Sequence, residues 1–424
     1  MGFNLFSISQ INDLIRKDRL NGFIDSLGGA ISEGKELPFA THDIKSAVKL
    51  QHERIKSKGL TMDYEIESRE DEEEDRVWSI ADWEDSHYRS DVYIKLSGIQ
   101  RQVKKNGTRL YKDKQKVGIH QTVTDVKNGE RVDDDTYICP NCGGVSTIAE
   151  LENGCKYCGT MYKMDDLFPK ISNCYHTYDL GLTKKEFWSV FTICYIIAYV
   201  IVMAIVKISS DVRGEEIELL PTIIGGLFIS IVFAGVIFFL YKLIEGIAKG
   251  VSESSGKCGT LNSRKKFEKK MKRIVPDFSF EYFLGKVLFL IRIAVFSEDE
   301  RKFLFYEGEP LDRDFKDIID LEYGGAIGFE KFTEKDGVMS IKTRVFFNVL
   351  YNKDDKVFFK RQVFDAVFER RTDIPMNINF SMTRIQCPTC GSSFDAILNR
   401  QCPSCGNKYE INSRDWVLKK LEIE

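Results

Sequence analysis

The period of the hydrophobic pattern changes several times along this 424-residue chain. The opening stretch carries apolar residues at helical spacing: Ile11, Leu14 and Ile15, then Phe23, Ile24 and Leu27. After a candidate N-cap at Thr41, a second stripe holds Ile44, Ala47, Val48 and Ile55. These stripes predict amphipathic helices facing a core. Past Gly59 the pattern turns extended, in Met62–Ile66, Val77–Ile80 and Asp91–Ile99, and predicts a small sheet. The acidic run Glu70–Asp75 interrupts it and reads as a solvated loop, because consecutive carboxylates converge on one cation only with a turn-forming glycine.

Amphipathicity disappears in the middle of the chain. From Phe187 to Val206 there are 20 residues without a charge, and from Leu219 to Tyr241 another 23. As helices rising about 1.5 Å per residue, both runs reach about 30 Å, the thickness of a bilayer's hydrocarbon core. Trp188 and Tyr241 lie near the ends, where interfacial rings belong, and Gly226, Ser230 and Ala234 repeat at four-residue intervals as a close-packing seam. A two-helix transmembrane hairpin is therefore expected at 187–243, with spans 187–207 and 219–241. Lys184 and Lys185 precede it and Lys242, Lys249 and Lys257 follow. The connecting loop sets only Lys207 and Arg213 against Asp211, Glu215, Glu216 and Glu218. The positive-inside rule then predicts a multi-pass protein of the plasma (inner) membrane with both termini cytoplasmic. The first residues lack the charged and apolar regions of a secretory signal peptide.

Beyond the second span, residues 244–275 read as a basic juxtamembrane linker. Arg264, Lys265, Lys266, Lys269, Lys270, Lys272 and Arg273 face only Glu268. Cations beside a cytoplasmic membrane face each attract anionic lipid by up to about 1 kcal/mol, so these seven are candidate lipid contacts. From Pro276 an apolar helix is expected with Phe280, Phe283, Leu284, Val287 and Ile291 on one side. It is followed by a helical stretch around Phe315–Leu321 and three strands rich in β-branched and aromatic residues, the last holding Trp416–Leu421.

Cysteine carries the most specific chemistry. Eight of the eleven fall into two sets, Cys139, Cys142, Cys155 and Cys158, and Cys387, Cys390, Cys402 and Cys405. Each C-x-x-C-Gly forms a knuckle that aims two thiolates at one point, and two knuckles complete a tetrahedral S₄ shell. Two structural Zn²⁺ ions are expected, although the same sulfurs also suit an iron centre. Disulfides do not suit a cytoplasmic location. A thioredoxin-like pair would need one C-x-x-C within an α/β unit. Cys174, Cys194 and Cys258 receive no role. Ribbon one would occupy 136–165 and ribbon two 386–409, and the two segments form an internal repeat. A degenerate second copy of the C-terminal domain in the N-terminal arm, residues 1–135, would extend that repeat.

Both knuckle pairs resemble the transcription-factor-IIB-type zinc ribbon. That resemblance implies nucleic-acid association, which the local charge does not favour. Residues 137–164 set Lys156 and Lys163 against Glu150 and Glu152, and residues 386–409 set Arg400 and Lys408 against Asp395. The helix start with Asp277, Phe280 and Phe283, the V-F-E-R-R arm ending at Arg371, and the closing Trp416 and Leu418 resemble the Tim-forty-four-like family, here within a bacterial-type membrane protein. The resemblance covers 276–424. It implies an α+β cystatin-like cone, a curved antiparallel sheet around a long helix, with ribbon two inserted. The family's namesake anchors an import motor, which implies protein docking.

Three function classes follow. The first is a membrane-anchored, non-enzymatic scaffold or adaptor that binds an unidentified cytoplasmic or membrane protein, in membrane protein transport or assembly. The second is an enzyme using the cone pocket, with Asp317, Asp320 or Glu322 as acids. The third is a membrane-tethered zinc-ribbon nucleic-acid binder. A formal charge of -3, closed Cys₄ shells, only five histidines and the lack of a nucleophile or phosphate motif favour the first, with no nucleic acid as partner.

Overall fold

The computed structural model describes the chain except residues 1–7, 69–76, 85, 128–131, 140, 143, 179–183, 215–218, 255–259, 277, 301–302, 304, 374–383, 388, 396–398 and 409–415. The acidic run, Asp277 and Cys258 therefore lie outside the described residues. The chain divides into two compact units: a helical hairpin within Asp179–Cys258, and a larger unit built from Met1–Ser68, Val77–Tyr178 and Gly259–Glu424. The N-terminal arm and the C-terminal region, assigned to separate domains by their sequence positions, thus pack as one body.

The arm begins with α1 (Ile8–Glu33) and α2 (His42–Ser57). Phe23, Ile24, Leu27 and Ile31 of α1 and Ile55 of α2 are buried on the sheet behind them. Thr41 occupies the N-cap position of α2, but its side chain accepts no capping bond. The sheet is antiparallel. Strands β1 (Leu60–Ser68) and β2 (Val77–Glu84) pair with successive parts of β3 (Tyr88–Lys105). Next comes β4 (Thr108–Val126), joined to β3 by the tight turn Asn106-Gly107. Both turn residues have positive φ, 50° and 78°, the backbone that type I′ hairpins require. Ribbon one follows with β5 (Thr136–Ile138), β6 (Val145–Thr147), α3 (Ile148–Asn153) and α4 (Met164–Leu167). Then β7 (Lys170–Tyr178) returns to pair with β4, giving the order β1-β3-β4-β7.

In the hairpin unit, α5 (Lys184–Arg213) and α6 (Leu219–Ser254) contain two helices long and apolar enough to cross a membrane, Phe187–Arg213 and Leu220–Tyr241. Only 17% of each apolar segment is buried, which sets them apart from the core helices of a soluble protein. The small-residue seam lies at their contact. Ser230 and Ala234 of α6 are buried, as are Cys194, Ala198 and Val202 of α5, and a Cβ on Gly226 would stand 3.0 Å from the Met203 sulfur. Cys194 therefore has a packing role. Ile196, Val200, Phe228, Val232 and Phe239 face outward, as lipid contact demands.

The remaining chain repeats the arm's order. Segment 244–275 is largely helical: α6 runs on to Ser254, and α7 (Thr260–Ile274) buries Phe267 and Met271. Next comes α8 (Phe280–Phe296), capped where the Ser279 hydroxyl accepts a bond from the Tyr282 amide at 3.0 Å, and then the single turn α9 (Arg313–Lys316). Strands β8 (Ile318–Lys335), β9 (Val338–Lys353) and β10 (Lys356–Arg371) form a meander closed by positive-φ turns at Asp336-Gly337 and Asp354-Asp355. Ribbon two holds β11 (Arg384–Gln386) and β12 (Ser393–Asp395), and β13 (Val417–Ile423) returns to pair with β10, giving β13-β10-β9-β8. The helical stretch expected at Phe315–Leu321 is in fact one turn followed by strand. Ile318 and Ile319 are β-branched and pack on the cores from within β8. In both halves, helices precede an antiparallel meander, a Cys₄ ribbon interrupts its last connection, and the return strand starts twelve residues after the ribbon's last cysteine, at Lys170 and Val417.

Candidate metal centres and a charged cavity

Each ribbon is assembled by backbone turns. In ribbon one, the Cys139 amide bonds the Gly144 carbonyl at 2.9 Å and the Cys155 amide bonds the Thr160 carbonyl at 2.9 Å. In ribbon two, the Cys387 and Cys402 amides bond the Ser392 and Asn407 carbonyls, both at 2.9 Å. Gly159, Gly391 and Gly406 follow their knuckles at φ of 72°, 73° and 73°, a conformation any side chain would strain. Facing sulfurs are 3.7 Å apart for Cys139–Cys158, Cys142–Cys155 and Cys387–Cys405, and 3.6 Å for Cys390–Cys402. All four sulfurs of each set lie within 4.8 Å of one another. A tetrahedral metal with bonds of about 2.3 Å places its sulfurs about 3.8 Å apart, and a disulfide would need about 2.05 Å. The donor sets therefore suit two metal ions, one per ribbon, and not disulfides. The Thr160 hydroxyl brings Cys158 down to about 6 and the Ser392 hydroxyl does the same for Cys402, whereas burial raises Cys139 and Cys142.

The two ribbons are seated differently. Ribbon one packs in a small cluster apart from the two larger cores, in which Tyr137, Ile148, Leu151 and Phe168 meet Cys139 and Cys155 together with Tyr88 of β3 and Val126 of β4. Its α3 is closed by a capping box, the Thr147 hydroxyl accepting from the Glu150 amide at 3.1 Å and Glu150 accepting from the Thr147 amide at 2.9 Å. At its edge, Tyr157 and Met161 are 44% and 70% exposed. Among the described residues, ribbon two has no such separate cluster. Cys387, Phe394 and Cys402 belong to the main C-terminal core with Trp416, and Arg400 donates to the carbonyls of Phe303 at 3.0 Å and Tyr306 at 2.7 Å.

The acids considered for an enzyme are committed to ion pairs within the large unit. Arg101 of β3, 1% exposed, bonds Asp113 through Nε at 3.1 Å and a second nitrogen at 2.6 Å. Its remaining nitrogen reaches Asp320 at 2.8 Å and Glu322 at 2.7 Å. His176 Nε2 lies 2.7 Å from the same Glu322 oxygen, and Gln51 donates to Asp320 at 2.8 Å. Burial would raise the Glu322 pKa, but Arg101 and His176 outweigh it and hold it at about 2. Burial and the neighbouring Glu322 raise Asp320. Asp317 pairs with Lys58 at 3.3 Å. These contacts join the two halves.

A cavity of about 360 Å³ opens elsewhere in the large unit, between the outer face of the arm's sheet and α7–α8. Its titratable walls are Asp82, His120, Tyr175, Arg264, Glu268, Lys272 and Glu281. The Ser279 hydroxyl donates to Asp82 at 2.5 Å and the Tyr175 hydroxyl to Glu281 at 3.3 Å. Burial, then the Asp82 charge, pushes Glu281 up to about 7, and burial, then His176, brings His120 down to about 4. An acid whose pKa is raised on folding contributes stability that is complete below its unfolded value and lost as pH rises through the folded one. Here the window runs from about 4.3 to 7 and is worth roughly 3 kcal/mol. Glu281→Gln should therefore flatten the decline in stability between pH 5 and 8, as read from denaturant midpoints. An unchanged slope would contradict the assignment.

The seven basic residues separate on α7. Lys265, Lys266, Lys269, Lys272 and Arg273 are exposed, whereas Arg264 pairs with Glu268 at 2.6 Å and lies 3.6 Å over the Phe280 ring. Lys270, also exposed, sits 3.8 Å over Phe332, and Lys272 also lines the cavity. The sequence reading missed Arg101, Asp82 and Glu281, whose partners stand far away along the chain. For Arg101 the available signal was Asp320 and Glu322 two residues apart on one strand face. Comparison with protein-family models, curated proteins and solved structures finds no match.

Proposed function

We propose that the protein is a membrane-anchored, non-enzymatic scaffold whose cytoplasmic unit presents ribbon one to a protein partner, in membrane protein transport or assembly. The observation that carries this reading is the contrast between the ribbons. Ribbon two is tied into the main C-terminal core by Arg400, while ribbon one sits in a small cluster at the end of the arm's sheet with Tyr157 and Met161 uncovered. Exposed aromatic and methionine side chains beside a rigid turn are the material of protein interfaces. In this reading the metals are structural Zn²⁺, and both termini are cytoplasmic, with the hairpin in the plasma (inner) membrane. The exposed Lys265, Lys266, Lys269 and Arg273 meet anionic lipid headgroups. The helix-backed C-terminal sheet is a Tim-forty-four-like cone, supported by the long α8 and the burial of Trp416 against Phe283. The near-neutral ribbons support a protein partner over nucleic acid.

A photo-crosslinking residue at Tyr157 or Met161, activated in intact cells, tests this directly. The same discrete adduct should form from both positions and disappear in Cys155→Ser/Cys158→Ser. Adducts from an exposed control position such as Lys356, but none from Tyr157 and Met161, would refute ribbon one as the docking surface.

A further inference from the structure

The cavity beside α7 has a chemistry that the scaffold reading does not use. Its inner end gathers two carboxylates, Asp82 on β2 and Glu281 at the start of α8. The bonds they accept there come from neutral donors, the hydroxyls of Ser279 and Tyr175 and, for Asp82, the backbone amide of Glu281. The cation nearest Glu281 is Arg264, at 3.9 Å, and its closer partner is Glu268, at 2.6 Å. With Arg264 and Glu268 balancing each other, Asp82 and Glu281 face one exposed cation at the rim, Lys272. Excess negative charge therefore sits at the buried end. The walls are apolar and aromatic: Val92 and Ile94 from β3, Phe280 from α8, and Tyr175, whose ring stacks on His120 at 4.7 Å between centroids. His120 is held neutral by burial, so the wall adds no competing charge. A volume of about 360 Å³ falls within the range of small-molecule sites, about 300–1,000 Å³.

We propose that this cavity binds a small organic cation, a primary amine on an aromatic or branched apolar body. The ammonium lies between the Asp82 and Glu281 carboxylates and the body lies against Ile94 and Tyr175. The ammonium supplies the charge-assisted donors that the two carboxylates lack at the inner end. The groups facing Glu281 are Asp82 from β2, Tyr175 from β7, Tyr323 from β8, and Arg264 and Glu268 from α7, with His120 on the adjoining wall. Among these, Glu281 titrates near neutrality, so binding should weaken as it takes up its proton.

The test uses the full chain in non-ionic detergent micelles. Calorimetric titration with 2-phenylethylamine is run beside 3-phenylpropionate and inorganic phosphate at low ionic strength. The amine should bind saturably at pH 8, several-fold more weakly at pH 6, and at least tenfold more weakly in Glu281→Gln. Lys272→Ala should leave binding unchanged or tighter. Asp82→Asn, which removes the other carboxylate, should weaken it as well and serves should Glu281→Gln not fold. Saturable binding of phenylpropionate or phosphate in place of the amine would overturn the proposal. So would absence of amine binding, or amine affinity indifferent to both carboxylate substitutions. Failure of the Tyr157 crosslinks would leave this result untouched, since the two sites share no residue.

Discussion

Arg101→Ala should cost the large unit roughly 3–5 kcal/mol, because it leaves Asp320 and Glu322 buried without their common cation. The loss comes less from the attraction removed than from two carboxylates stranded away from water. The expected compensation follows from the same physics. In Arg101→Met combined with Asp113→Asn, Asp320→Asn and Glu322→Gln, no carboxylate of the cluster is orphaned, and at least half of the loss should return. Tryptophan fluorescence across a denaturant series on the full chain in micelles would measure both. A loss below about 1 kcal/mol for Arg101→Ala, with an unchanged slope, would mean that water reaches the cluster and that it does not hold the halves together. Glu322 also sets an acid limit. Its pKa is depressed in the folded protein, so its contribution is complete above about 4.3 and is lost as pH falls toward 2. This runs opposite in sign to Glu281, and together the two carboxyls favour mildly acidic pH for maximal stability.

How much of this was legible in the sequence depended on whether each signal was local. The hairpin was visible because uncharged runs of membrane length seldom occur in the core of a water-soluble domain, and its seam because Gly226, Ser230 and Ala234 repeat with the helix. The ribbons were visible because four thiolates at that spacing converge on one point. The strand β4 was not recognised, since its first half, with Lys112, Asp113, Lys114 and Lys116, resembles a solvated loop. Its surest mark was the Asn106-Gly107 turn, which closes the hairpin with β3. Asp320 and Glu322 were noticed but placed on or beside a helix. On the strand that actually forms they point the same way, toward an arginine 219 and 221 positions earlier in the chain. No periodicity encodes such a pairing, and the arm and C-terminal region therefore looked like separate domains. The cavity was hidden for the same reason, since Asp82 and Glu281 belong to different halves.

Removing the metal from ribbon two should loosen the closing strand, while removing it from ribbon one should not. The path runs through one segment. Arg400, between the knuckles of ribbon two, holds the carbonyls of Phe303 and Tyr306. In the same segment the Phe305 carbonyl accepts from the Leu418 amide at 2.8 Å, and the Glu307 amide donates to the Leu418 carbonyl at 3.0 Å. Trp416, next to β13, packs on Phe283 of α8 with ring centroids 5.0 Å apart, and shares its core cluster with Cys387 and Cys402. A structural zinc contributes on the order of 10 kcal/mol of apparent binding free energy, part of it realised as folding. If only about 1.4 kcal/mol of that reaches the joint, opening of β13 becomes tenfold more frequent. Amide exchange across Val417–Leu421 should therefore accelerate at least tenfold in Cys402→Ser/Cys405→Ser. The ribbon-one variant Cys155→Ser/Cys158→Ser disturbs a core centred on Tyr137 and Phe168, and should leave those amides unchanged. Each variant should also lose one equivalent of metal, because the two donor sets share no sulfur. Full protection of β13 without the second metal would show that β10 pairing and the Trp416 contact suffice. Ribbon two would then be a passenger on the joint, and its uncovered knuckle tip would compete with ribbon one as the docking surface.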